Sequence, residues 1–192
     1  AGGRAEENFG GALSVAGAGS VNVIDSDVAS YIDNNSTVMS GAAFDVSLAA
    51  ADSSTIFASS GILSVAVGLG NKAIAASVGA SVAINTVTGG VRAYVEDSTI
   101  TSGGGLDLTA ESTTNIWAMT LAGVGAGGKG KDSFGLAFSG AGAGSLNIIE
   151  RPIESYIKGS VENGVPEKTI TTGNGQGVSL RAADRSSILA TS

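Results

Sequence analysis

Leu13, Val15, Gly17, Gly19 and Val21 alternate with Ser14, Ala16, Ala18, Ser20 and Asn22. Leu63, Val65 and Val67 alternate in the same way with Ser64, Ala66 and Gly68. A period of two sends successive side chains to opposite faces of a pleated strand. No stretch carries a 3.6-residue apolar stripe between capping residues, so no helix is expected. Turn-forming clusters separate the runs: Asp33-Asn34-Asn35-Ser36, Gly68-Leu69-Gly70-Asn71, Gly103-Gly104-Gly105 and Gly173-Asn174-Gly175. The pattern predicts an all-β chain.

The runs repeat. Ser20-Val21-Asn22-Val23-Ile24 returns as Ser81-Val82-Ala83-Ile84-Asn85, slightly shifted, and as Ser145-Leu146-Asn147-Ile148-Ile149. Nine positions after Asn22, Asn85 and Asn147 stand Tyr31, Tyr94 and Tyr156. Leu48, Leu108 and Leu180 begin a second block, and eight positions later come Ile56, Ile116 and Ile188. These spacings are constant, whereas the step from Tyr to Leu is 17, 14 and 24 positions. Fixed blocks with variable connectors are registered strands joined by loops. A longer offset of 125 aligns Phe9 with Phe134 and Tyr31 with Tyr156, two units of about 62. The expected organisation is one segment, 1–192, in units of approximately 1–60, 61–120 and 121–192, excised from a longer array.

Stacked rungs about 4.8 Å apart place each residue over its own copy. An Asn column can then pass amide hydrogen bonds along the stack, and a Tyr column can stack rings. Turn capping accounts equally well for the Asn residues. The fold class expected is a β-solenoid, a parallel β-helix of about three repeats. A long antiparallel hairpin from Ile56 to Asn85 stays open beside it. The run from Gly140 to Ser145 matches the crystalline hexapeptide of silk, with one bare face. Close sheet packing inside one fold is the expected use of that face.

Composition narrows the chemistry. The chain has 192 residues, 30 of them Gly, and neither Cys nor His. Disulfides, Cys/His zinc sites and Cys- or His-based catalysis are therefore excluded. A net charge of −7 with ten scattered basic residues argues against nucleic acid. The weakly charged run from Ile62 to Val91 is broken by Asn71-Lys72 and reads as strand, so no membrane insertion is expected in this segment. Ala1 to Gly10 has no signal-peptide pattern.

The cycle resembles repeat arrays of giant bacterial filamentous adhesins, surface proteins of the leukotoxin and filamentous-haemagglutinin type. Its carriers are Asn22, Ala29, Tyr31, Ser36-Thr37-Val38, Leu48 and Ala50; Asn85, Ala93-Tyr94-Val95, Ser98-Thr99-Ile100, Leu108 and Ala110; and Asn147, Tyr156-Ile157, Leu180 and Ala182. The third copy departs from the pattern between Ser160 and Gly177, where an exposed loop containing Pro166 is expected. The resemblance implies a right-handed parallel β-helix secreted to the cell surface. The function expected is a non-enzymatic structural stalk or adhesive segment, with no cofactor and no metal. Its partners would be adjacent repeats of the same chain, and surface glycans or proteins of host or bacterium. The alternative is a polysaccharide-binding or polysaccharide-depolymerising β-helix.

Several motifs compete with this reading. Gly123 to Lys129 resembles a phosphate loop, but Gly130 replaces the required Ser or Thr, and a turn is expected. Asp25-Ser26-Asp27 and Asp33-Asn34-Asn35 offer oxygen ligands for calcium, yet Thr86-Val87-Thr88 stands at the second copy; solvated turns are expected. Asn35-Ser36-Thr37 fits a glycosylation acceptor and reads as a turn. Asp52 and Asp184 share a repeat position, and Arg181 and Arg185 beside Asp184 could bind a sugar acid; an exposed charged edge is the expected role. Phe57, Trp117 and Leu189 follow the repeated Ile and form an apolar column, expected to lie under a neighbouring hairpin.

Overall fold

The computed structural model describes residues 1–4, 9–159, 161–162, 165–166, 168–173 and 175–192. Among the described residues the chain is all-β. The strands are β1 (Gly2–Arg4), β2 (Phe9–Asp25), β3 (Val28–Ile32), β4 (Thr37–Ala42), β5 (Val46–Thr88), β6 (Val91–Glu96), β7 (Thr99–Gly103), β8 (Leu106–Ile149), β9 (Ile153–Lys158), β10 (Val161–Glu162), β11 (Val165–Pro166), β12 (Ile170–Thr171), β13 (Val178–Asp184) and β14 (Ser187–Thr191). Every pairing is parallel except the two-stranded β10–β11. That antiparallel pair lies within the stretch read from sequence as an exposed loop. Residues 5–8, within the stretch read for a signal peptide, and Asn174, within a predicted turn, lie outside the described residues.

Strands pair with their own copies. β3, β6 and β9 form one sheet, with Tyr31 opposite Tyr94 and Tyr94 opposite Tyr156. β4, β7 and β12 form a second. The first residues of β5 and β8, with β13, form a third wall, where Leu48 and Leu180 both pair with Leu108. The three walls enclose one core of Leu48, Ala50, Val91, Ala93, Val95, Ile100, Leu106, Leu108 and Ala110. This enclosed region is the base. Its corners need left-handed backbone: Asn34 and Asn35 (φ 57° and 63°) turn one corner, and Gly89 (φ 92°) another. A Cβ at Gly89 would stand 2.2 Å from the Ser26 carbonyl, so only glycine fits there.

The rest of β5 and β8 leaves the base. Residues 46–70 pair with 106–130, the register shifts between Gly70 and Lys72, and residues 72–87 pair with 134–149. β2 stacks on the same return segment, Phe9 opposite Lys72 through Asp25 opposite Thr88. Each protrusion is thus an outgoing arm and a return arm, together a fin. The hairpin reading anticipates the reversal but not the bonding. Among the described residues the two arms do not pair with each other; each pairs only with its copies, so the fin is two parallel sheets face to face.

Candidate functional site

Interior volume decides which face of each arm turns inward. The residues between the fin's sheets are mostly small: Ser64, Ala66, Ala73, Ala75, Ser77, Ser81 and Ala83 are all buried, and the larger Ile62 and Val124 fit only because Gly79 opposite them has no side chain. Ser77 Oγ donates to Ser64 Oγ at 2.8 Å, Ser64 Oγ to Ser14 Oγ at 2.8 Å, and Ser81 Oγ to Ser60 Oγ at 2.8 Å. These bonds tie the opposed arms across the gap. In the next layer Thr120 stands under Ser60 and Ala143 under Ser81, so the Thr120 hydroxyl is left without a partner. Near the tip the arms nearly touch. A Cβ at Gly68 would lie 2.7 Å from the Ile74 carbonyl, and one at Gly128 2.7 Å from that of Leu136.

Most of the large apolar residues consequently face outward. Leu13, Val15, Val21, Leu63, Val78, Phe138 and Leu146 are all exposed, Leu63 to 76%. The fin carries no ionisable side chain in 9–24, 53–71, 73–88, 112–128 or 133–149. Monomeric proteins rarely show apolar area of this continuity, and its presence marks a contact surface. The Phe57, Trp117 and Leu189 column lies in register at the fin's root, the Phe57 and Trp117 rings 6.1 Å apart. The covering hairpin expected from sequence is absent among the described residues: Phe57 is 72% exposed and Leu189 62%. The arms that would cover this column extend away from the base instead, alongside their own copies.

Gly123 to Lys129 is extended strand within β8, not a turn, because pairing with 63–69 holds it straight. The silk-like run divides its faces. Ala141, Ala143 and Ser145 turn toward the fin interior, while a Cβ on Gly140, Gly142 or Gly144 would meet nothing within 4 Å. Its glycine face is therefore open, contrary to the expectation that it packs inside the fold.

The ladder residues fall into two groups. Asn22 Nδ2 donates to Asn85 Oδ1 at 2.8 Å, and Asn85 Nδ2 to Asn147 Oδ1 at 2.7 Å. The fully buried Asn85 is thereby satisfied on both sides. Ile56 and Ile116 are buried at the root, packed on Val87. Leu180 and Ile188, in the last layer, are half exposed. The tyrosines stack on the outside of the base, with ring centroids 5.2 and 5.0 Å apart and nearly parallel planes. Desolvation within that stack, and then the Asp33 carboxylate, push the Tyr94 phenol above its ordinary value.

The acidic turns are engaged by the neighbouring layer. Asp27 accepts from the Gly90 amide at 2.6 Å, and Asp25 from Thr88 Oγ1 at 3.1 Å. Arg181 and Arg185 both face Glu111, at 3.2 and 3.6 Å. The pair considered for a sugar acid thus shares one carboxylate, which offsets one of its two charges. Lys158 is held by Glu96, whose hydrogen bond raises the ammonium pKa.

One residue that sequence reasoning passed over joins fin and base. Arg151, with its side chain 1% exposed, lies in the turn before β9 and ion-pairs with Asp52. Its Nε donates to the Gly89 carbonyl at 3.2 Å, Nη2 to the Ser26 carbonyl at 3.0 Å, and Nη1 also to Thr114 Oγ1 at 3.3 Å. The Arg151 hydrogen bond holds the Asp52 carboxyl below its usual range, against desolvation, which pushes it up. Arg151 and Asp52 are 99 positions apart, so only a lone cation beside Pro152 could have signalled the pair.

No family model matches the chain, and no curated protein and no solved structure matches it either.

Proposed function

We propose that the chain is a three-unit β-solenoid and a structural segment of a large secreted surface protein, its work mechanical rather than catalytic. The observation that carries this reading is register: Asn over Asn, Tyr over Tyr and Leu over Leu through successive layers, joined by parallel hydrogen bonds. A scaffold needs interchangeable layers that dock on their own copies, and these ladders supply the key. Load along the stack is borne in parallel by every strand of a layer. An extracellular setting fits a cysteine-free, acidic, Gly/Ser-rich chain resembling the filamentous adhesins.

The geometry also bounds the role. Each layer consumes about 62 residues and adds only about 4.8 Å of height, so three layers are about 14 Å thick. More than half of each layer, residues 53–88 in the second, is fin rather than base. Reach alone does not require the fin; a stalk built this way gains lateral surface along its whole length.

A chain with twice the number of units tests the reading. Small-angle scattering is expected to show the same cross-section and a height increased by about 14 Å. Two independent globular bodies on a string would refute it.

A further inference from the structure

We propose that the outer face of the return arms is a self-association surface, taken by the same face of a second copy about a two-fold axis parallel to the stack. The face consists of three complete strands: 9–25, 72–88 and 134–149. Its middle row is Gly17, Ala80 and Gly142. That row lies midway between Lys72 at the tip and Thr88 at the root. Flanking it at equal distances are Leu13, Ala76 and Phe138 toward the tip, and Val21, Ile84 and Leu146 toward the root.

Rotation about an axis through the middle row reverses the arms and keeps the layers level. Gly17 then meets Gly17, Ala80 meets Ala80 and Gly142 meets Gly142, a row of little bulk between rows that include Val78 facing Val82. The bulkier rows meet one another: Leu13 faces Val21 of the second copy, and Phe138 faces Leu146. The ends are complementary in charge. Lys72 at one tip comes beside Asp25 and Glu150 at the other root, and no charge lies between. Such an interface is isologous.

Its size is adequate. About 15 residues at 3.3 Å by three strands at 4.8 Å give roughly 700 Å² per copy, or about 1,400 Å² in all, within the range of specific interfaces. Because the axis runs along the stack, every added unit enlarges the contact, so two long chains would zip side by side. The outgoing-arm face is less suited: β1 reaches it only at the tip, and β13 and β14 only near the root. The inference stands apart from the stalk reading, since a surface can pair whether or not the segment bears load.

The test is sedimentation equilibrium up to about 100 µM, which covers weak and standard interfaces. A dimer is expected, weakened at least about tenfold by Gly142→Lys or Gly17→Lys. Both substitutions fit the fold: a Cβ at Gly142 meets nothing within 4 Å, and one at Gly17 only the Ala80 carbonyl at 4.0 Å. The chain has no cysteine, so Ala80→Cys on the axis should be joined to its copy by a short bismaleimide linker, which spans two sheets about 10 Å apart, while Val65→Cys on the opposite face should not. A monomer throughout the range overturns the proposal. So does association that ignores Gly142→Lys, which would come from the open strand edges, and so does flotation of a solution monomer with lipid vesicles. A monomer that still lengthens with added units removes this inference and leaves the scaffold; a dimer that fails to lengthen does the reverse.

Discussion

Base and fin are built from the same alternating strands in the same parallel register, yet they place opposite residue sizes inside. In the base, three walls surround a central space, and Leu106, Leu108, Val91, Val95 and Ile100 fill it. In the fin, two sheets lie flat on each other, and the gap is filled mainly by Gly, Ala and Ser, with Ile62 and Val124 packed into the space left at Gly79 and with the Asn ladder and Ile56, Ile116 and Val87 at the root. Most of the large residues fitted to one geometry are expelled by the other. Alternation therefore identifies two faces, and the distance to the opposing sheet decides which is the interior.

The junction should be the most sensitive point, because there the two architectures share one buried cation. Arg151→Ala leaves Asp52 held by the Ser54 hydroxyl but without its counter-ion in a nearly dry setting, and a loss of about 3–5 kcal/mol is expected for breaking such a pair. Urea unfolding measures it. The pH dependence has a definite sign. The folded Asp52 pKa is lowered, so its contribution is present above the ordinary carboxylate value near 3.9 and is lost as pH falls through the lowered folded value. The deficit of the variant should thus be largest near neutrality and shrink toward about pH 3, where wild type has itself lost part of this contribution. A deficit that stays constant into acid would mean that Arg151 acts through its carbonyl contacts rather than through Asp52.

The contrast in filling is tested by removing volume. Leu108→Ala, at a fully buried position of the base, should cost about 2.5–5 kcal/mol. Leu63→Ala on the fin's outer face should cost less than about 0.5 kcal/mol in the monomer. Similar losses at the two positions would mean that the fin face is covered in solution, even at dilution.

Much of this organisation is legible before any coordinates. Constant steps from Asn to Tyr and from Leu to Ile fix the register, since a slip of one residue would flip every side chain. The reversal near Asn71 is also visible, as a polar break in an apolar run. The fin's inside is not, because Ala, Gly and Val are all counted apolar, and the smaller set is chosen by a sheet separation that no local pattern encodes. Arg151 is equally hidden: its partners Ser26, Asp52, Gly89 and Thr114 are scattered through the chain and gather only when the layers stack.

Adding volume should distinguish the regions in the other direction. Ala75→Leu would force a larger side chain between the fin's sheets, where Ala75 is fully buried. Overpacking of this kind costs about 1–3 kcal/mol, and the damage should stay in the fin. Hydrogen exchange is the appropriate measurement: amides of 57–85 should exchange faster, while those of β6 and β9 keep their protection. Loss of protection in both would show one cooperative unit without a separable fin.

The smallest effect is expected at the tyrosines, and it separates a ladder from a core. A buried aromatic truncated to Ala costs about 3–5 kcal/mol. Tyr94 is instead sandwiched on the outer surface of the base, its neighbour Tyr31 54% exposed, so what it loses is two stacking contacts. Aromatic pairs contribute about 0.5–1.5 kcal/mol each, and solvent exposure favours the lower end, so Tyr94→Ala should cost about 1–2 kcal/mol. Tyr94→Leu keeps the apolar contact and loses the ring. If Leu restores stability, the column is merely greasy; if only Phe restores it, ring stacking holds the layers in register. Tyr31→Ala, which removes one contact at the end of the column, should cost about half as much as Tyr94→Ala, because a ladder loses energy by the number of rungs broken and a core by the volume removed.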